Sequence, residues 1–121
     1  MQEQYQVLYD EFMQKYKQSE ITPSEVGEVL ARIAGFFPNY NLAMVKAERG
    51  FALVSKEEVM KTDESTGKAV SATKAETIAE ASSDAFAFKQ AKAHVANIEM
   101  LIGALKFLQK SLEVEFVHAN L

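Results

Sequence analysis

His94 and His118 are the only two histidines of the 121-residue chain, which contains no cysteine, so any histidine-based metal or acid–base chemistry has to start from them. The acidic residue nearest His94 in sequence, Glu99, falls on a different helical face. A histidine among apolar positions can ligate a metal, switch with pH or fix a helix register; as a core residue it is held by a hydrogen bond to a neighbouring helix. Two distant histidines with no HExxH pattern do not make a zinc site, and no metal is expected. The loop Thr62-Asp63-Glu64-Ser65-Thr66-Gly67-Lys68 imitates a phosphate loop. It fails the pattern because Thr62 stands where glycine is needed and Ala69 where Ser or Thr is needed. There is no GxSxG and no GxGxxG, the serines and threonines concentrate in a loop without histidine, and Glu57-Glu58 and Glu113/Glu115 read as solvated faces. The expectation is a protein that is not an enzyme and carries no cofactor.

Basic residues offer the other chemistry. Lys46, Arg49, Lys56, Lys61, Lys68 and Lys74 run through the middle of the chain, interleaved with Glu48, Glu57, Glu58, Asp63, Glu64 and Glu76. One copy presents little net positive potential there, whereas a symmetric ring would repeat the loop into a rim. Further on, Lys89, Lys92, Lys106 and Lys110 share a sector about 100° wide at ~100° per residue. Both sets can follow a phosphate backbone, and both also suit the solvated surface that any helical protein needs. Tyr5, Tyr9 and Tyr16 add rings that can either stack on bases or pack inward with polar tips outward.

The elements that carry these residues follow from periodicity. Tyr5, Leu8, Tyr9, Phe12 and Tyr16 line one face of a helix over about 3–18. Thr22-Pro23-Ser24-Glu25 is a capping box with proline in the first turn, opening a helix over about 23–35 with Val26, Val29, Leu30, Ile33 and Phe37 supplying its apolar face. Pro38 separates it from a third helix, expected to begin after Asn39 or Asn41 and to reach Lys61. That helix has two adjoining apolar stripes: Leu42, Val45, Ala52 and Val59, then Met44, Ala47, Phe51 and Val54. Gly50 within it signals a close crossing or a kink. After the polar loop, Thr73-Lys74-Ala75-Glu76 reads as a second capping box. The chain then ends in an arm with Ala87, Ala91, His94, Ile98, Leu101, Leu105, Leu108 and Leu112 in steps of four and three, the spacing of a coiled-coil seam.

With 48% apolar and 25% charged residues, 2 Pro and 5 Gly, the composition favours helix and one domain with its own core. The formal charge is −4, and it is spread evenly: residues 1–54 carry 5 basic and 7 acidic groups, 55–77 carry 4 and 5, and 78–121 carry 4 and 5. No apolar run approaches the ~20 residues of a membrane span, and the start lacks a signal-like apolar core, so a soluble, unsecreted, cytoplasmic protein without a membrane partner is expected.

From Lys46 to Phe116, a charged helix, a polar glycine-containing loop, the segment SATKAETIAEASSDAFAF and the final NIEMLIGALKFLQKSLEVEF resemble, in order and spacing, phage recombination mediators of the UvsY-like family. The resemblance covers the C-terminal two-thirds of the chain. It implies a small helical ring that binds single-stranded DNA and helps load a recombinase onto strands covered by single-strand-binding protein, in the cytoplasm of the phage's host. It places candidate DNA-binding residues at Lys46, Arg49 and Lys56 on the charged helix, and at Lys68 and Lys74 at the loop and the following helix start.

The expected fold is therefore an all-α bundle in a single domain: N-terminal helices over 1–38, a central helix over 39–61, a polar loop over 62–72 and a C-terminal arm over 73–118. The arm, a coiled-coil-like helix from Ala85 to about His118, would pair with further copies through Ala91, His94, Ile98, Leu101, Leu105, Leu108 and Leu112, giving a homo-oligomer. Two other functions remain open: a structural or adaptor oligomer in virion assembly or host-factor binding, for which the apolar seam is the working surface, and a sponge holding a nucleotide signal between subunits.

Overall fold

A computed structural model describes residues 2–119. It contains five α-helices: α1 (Gln4–Gln18), α2 (Pro23–Ala34), α3 (Phe37–Met60), α4 (Ala72–Glu80) and α5 (Ser83–Ala119). No strand occurs among the described residues; one isolated antiparallel bridge joins Thr62 to Ala69. None of these helices is long and apolar enough to cross a membrane.

The chain folds as two compact units. One comprises the described residues of Met1–Pro38 and Ala96–Leu121, the other Asn39–Val95. In the first unit, Tyr5, Phe12, Ile21, Val26 and Ile33 are buried, as are Ile98, Leu101 and Leu105 of α5. The aromatic stripe of α1 is thus a packing face at Tyr5 and Phe12, while Tyr16 is exposed. Thr22 caps α2 by accepting the Glu25 N–H at 3.2 Å, and Glu25 pairs with Lys15 of α1 at 3.0 Å. Gln109 of α5 donates to the Pro23 carbonyl at 3.2 Å. Gly27 makes room for that side chain, since a Cβ there would stand 2.8 Å from Gln109 Nε2.

In the second unit, Ala75, Ala79, Ala85 and Val95 are buried. Of the two apolar stripes on α3, Met44, Ala47, Phe51 and Val54 turn inward, whereas Leu42, Val45, Ala52 and Val59 are exposed. Gly50 marks a close crossing: a Cβ there would meet Asp84 Oδ1 at 3.1 Å.

Several sequence expectations differ from the structure, among them the solvated face read at Glu57-Glu58, since Glu58 is buried. Helix α3 begins at Phe37, two or more residues earlier than expected, because Pro38 occupies its first turn, where the missing N–H has no partner to lose and φ is already helical. Ser71 caps α4, not Thr73: the Ser71 hydroxyl accepts the Lys74 N–H at 3.2 Å, and Thr73 lies inside the helix with its carbonyl accepting from Thr77 Oγ1 at 2.9 Å. Helix α5 starts at Ser83, after Ser82 Oγ accepts the Ala85 N–H at 3.1 Å. At its N-terminal end the inward face is set by Ala85 and Phe88, with Ala87 exposed, because Phe88 there stacks on Phe51 of α3 at 6.0 Å and no straight seam continues.

Candidate functional site

Helix α3 positions the first three candidate cations. Its inner face is anchored by Phe51 on Phe88 and by Tyr40, whose ring lies 5.2 Å from that of His94 at 52°. Anchoring one side of a helix fixes what the other side presents. At ~100° per residue, Lys46, Arg49 and Lys56 fall with Leu42, Leu53 and Met60 inside a sector about 80° wide. All six are exposed, Met60 to 74%. No acidic residue of α3 falls inside that sector, Glu48 and Glu57 lying to either side. None of the three cations forms an ion pair among the described residues.

Lys68 and Lys74 stand on other elements. The loop after α3 is built around Asp63: its N–H donates to the Lys68 carbonyl at 2.6 Å, its carbonyl accepts the Gly67 N–H at 2.7 Å, and Val70 N–H donates to the Lys61 carbonyl. Gly67 has φ 69°, a left-handed conformation that glycine reaches without strain. Asp63 Oδ1 accepts from the Ser65 hydroxyl at 2.7 Å and from its N–H at 2.9 Å. These two bonds hold the Asp63 carboxyl below the usual carboxylate range, with the Lys74 ammonium 3.6 Å away adding to the effect. Lys74 therefore ties α4 to the loop, while Lys68 is exposed with its backbone carbonyl held. Lys61 is engaged with Glu58 at 2.6 Å, and this carboxylate raises the Lys61 pKa above the ordinary lysine value.

His94 is half-buried on α5 against Tyr40. Among the described residues no group of three or more histidine, aspartate or glutamate side chains is arranged to hold a metal ion. Of the other seam residues, Ile98, Leu101 and Leu105 are buried within the single chain, and Ala91, Leu108 and Leu112 are half-buried. The largest apolar exposures on α5 lie elsewhere: Phe86, Met100 and Phe107, the last at 75%. Sequence reasoning missed the outward face at Met100 and Phe107 because Lys106 and Lys110 stand among its apolar residues, which made the face read as a basic stripe. Lys92 of that stripe lies over the Phe88 ring at 5.2 Å, where the ring's negative face attracts it. Compared with known proteins, the chain matches no protein-family model, no curated protein and no solved structure.

Proposed function

We propose that the chain is a non-catalytic helical accessory protein that binds single-stranded DNA and presents it to a replication or recombination protein, in line with its resemblance to UvsY-like mediators. The observation that carries this reading is the acid-free sector of α3, where Lys46, Arg49 and Lys56 stand exposed and without an ion-pair partner among the described residues, in a chain of net charge −4. Three cations spaced along one helical face can contact successive phosphates, with Leu42, Leu53 and Met60 between them to cover the apolar faces of unstacked bases. Lys68 extends the cationic set on the neighbouring loop. Such a role belongs to the cytoplasm of a host cell.

Fluorescence anisotropy with a labelled single-stranded oligonucleotide tests this directly. Three phosphate contacts give a slope of log K against log salt of about −2, so affinity falls about eighteenfold between 50 and 200 mM salt. Replacing Lys46, Arg49 and Lys56 together by glutamine removes that slope. Absence of binding at low ionic strength, or binding indifferent to the triple replacement, overturns the proposal.

A second reading has its own observation: Leu42, Leu53 and Met60 are aliphatic, and no aromatic ring sits in the sector to stack on a base. The same cationic and aliphatic face suits an acidic amphipathic helix, which would make the chain an adaptor. An acidic helical peptide competing with the oligonucleotide, or binding where the oligonucleotide does not, identifies that case.

A further inference from the structure

Met100, Gly103, Phe107, Lys110, Val114 and Val117 recur along α5 in alternating steps of three and four, and all six are exposed. This spacing makes a second seam on the side of α5 opposite Ile98, Leu101 and Leu105, which bury inside the chain. Nothing among the described residues covers it. Met100 is 66% exposed and Phe107 75%, and a Cβ on Gly103 would meet no atom within 4 Å, so internal packing does not require the glycine that weakens the helix there.

We propose that this face, over residues 96–107, closes on the same residues of a second copy of the chain in an antiparallel register centred between Leu101 and Ile102. Charge and size select both the occupant and the direction. Glu99 and Lys106 flank the seam on one side, seven residues apart, hence about 10 Å along the axis and out of reach of each other. In the antiparallel register Glu99 of each copy meets Lys106 of the other, giving two pairs related by the two-fold axis. The same alignment sets the Met100 side chain over Gly103 of the second copy and the Phe107 ring over Ala96 of the second copy, large against small at each level. A parallel pair would instead place ring on ring at Phe107, and would leave Glu99 beside Ala104 and Lys106 beside Ser111 of the second copy with neither charge paired. An apolar hollow of about 520 Å³, lined by Leu30, Ala34, Phe37 and Ile102, opens between Glu99 and Lys106 on this flank and would be closed by the second copy.

Sedimentation of the full chain at micromolar concentration tests the proposal. A mass twice 13.5 kDa is expected, with Phe107→Glu returning the monomer while circular dichroism shows the helices retained. Glu99→Lys and Lys106→Glu each weaken association about tenfold by turning attraction into repulsion at both symmetric pairs, and the two exchanges together restore it. Val114→Cys alone forms no intermolecular disulfide, because the two cysteines stand about 37 Å apart at ~1.5 Å per residue. A wild-type mass of 13.5 kDa at about 100 µM overturns the proposal and leaves the face to a different partner. Failure of the double exchange to restore association, or a disulfide through Val114→Cys, overturns the register.

Discussion

Replacing Gly103 by alanine adds one methyl group to the middle of the 37-residue helix α5 at a point where no other atom lies within 4 Å. The substitution therefore changes the backbone's conformational freedom and leaves packing within the chain untouched. Glycine in a helix interior is less favourable than alanine by about 1 kcal/mol, so the folded chain gains about that much. With an unfolding entropy of ~2.1 cal/mol/K per residue, a chain of this length has about 0.25 kcal/mol/K in total, and the gain raises Tm by about 4 °C. The measurement is thermal unfolding followed by circular dichroism at low micromolar concentration, dilute enough for any second copy to dissociate. An unchanged or lowered Tm refutes the reasoning, because it means that the new Cβ does meet something or that the helix is locally frayed. Gly50→Ala is the contrasting case, since its Cβ would stand 3.1 Å from Asp84 Oδ1; the same propensity gain there is offset by displacement of that carboxylate. In the antiparallel pair the Gly103 methyl would also occupy the space that Met100 of the second copy needs. Association should weaken in the variant whose fold is strengthened, and opposite signs of this kind do not arise from general destabilisation.

The capping assignment gives a second expectation: Ser71→Ala lowers stability by about 1 kcal/mol through loss of the hydroxyl that accepts the Lys74 N–H, whereas Thr73→Ala, inside α4, does not; urea midpoints of the two variants decide it, and equal losses would refute the assignment. The loop gives a third. The Asp63 pKa is lowered on folding, so its contribution is fully present above the unfolded-state pKa of ~3.9 and is lost as pH falls through the folded value below it. Amide exchange at Ser65 and Gly67 should accelerate over that acid window in the native chain, and an Asp63→Asn variant showing the same acid profile would show that the carboxylate does not hold the loop.

Where local chemistry decides structure, the sequence is legible. Thr22-Pro23-Ser24-Glu25 reads as a helix start and is one, with the hydroxyl and the proline in the expected places. The inward face of α1 follows from residue spacing; so does the apolar face at Ile98, Leu101 and Leu105, but spacing assigned it to a contact between copies, whereas the structure buries it within one chain. Legibility ends where two local solutions compete or where a distant group chooses between them. Ser71 and Thr73 are both competent caps, and the backbone selects the one placed to accept Lys74 N–H. The two apolar stripes of α3 are equivalent by periodicity; Phe88 and His94, contributed by α5, decide that Phe51 and Tyr40 turn inward and leave Leu42 outside. At the candidate site, the grouping of Lys46, Arg49 and Lys56 follows from helical spacing. The tie between Lys74 and Asp63 depends on how the loop folds back through the Thr62–Ala69 bridge, which no local pattern encodes.

The even spread of charge along the chain hides two kinds of patch. On α3 the acids stand to either side of a sector whose only charges are cations, and a surface of one sign attracts a polyanion and repels a second copy of itself. On the outer face of α5, Glu99 and Lys106 alternate at a seven-residue interval, and a surface of mixed sign repeats its own complement under a two-fold axis. Net charge does not distinguish the two, because each sums to a small number. Salt does: a polyanion complex weakens steeply as counterions compete, whereas an interface of apolar side chains with two exposed ion pairs responds weakly. Raising ionic strength should therefore release an oligonucleotide from α3 at concentrations that leave the mass of the α5 pair unchanged, and simultaneous loss of both would show that one surface serves both functions.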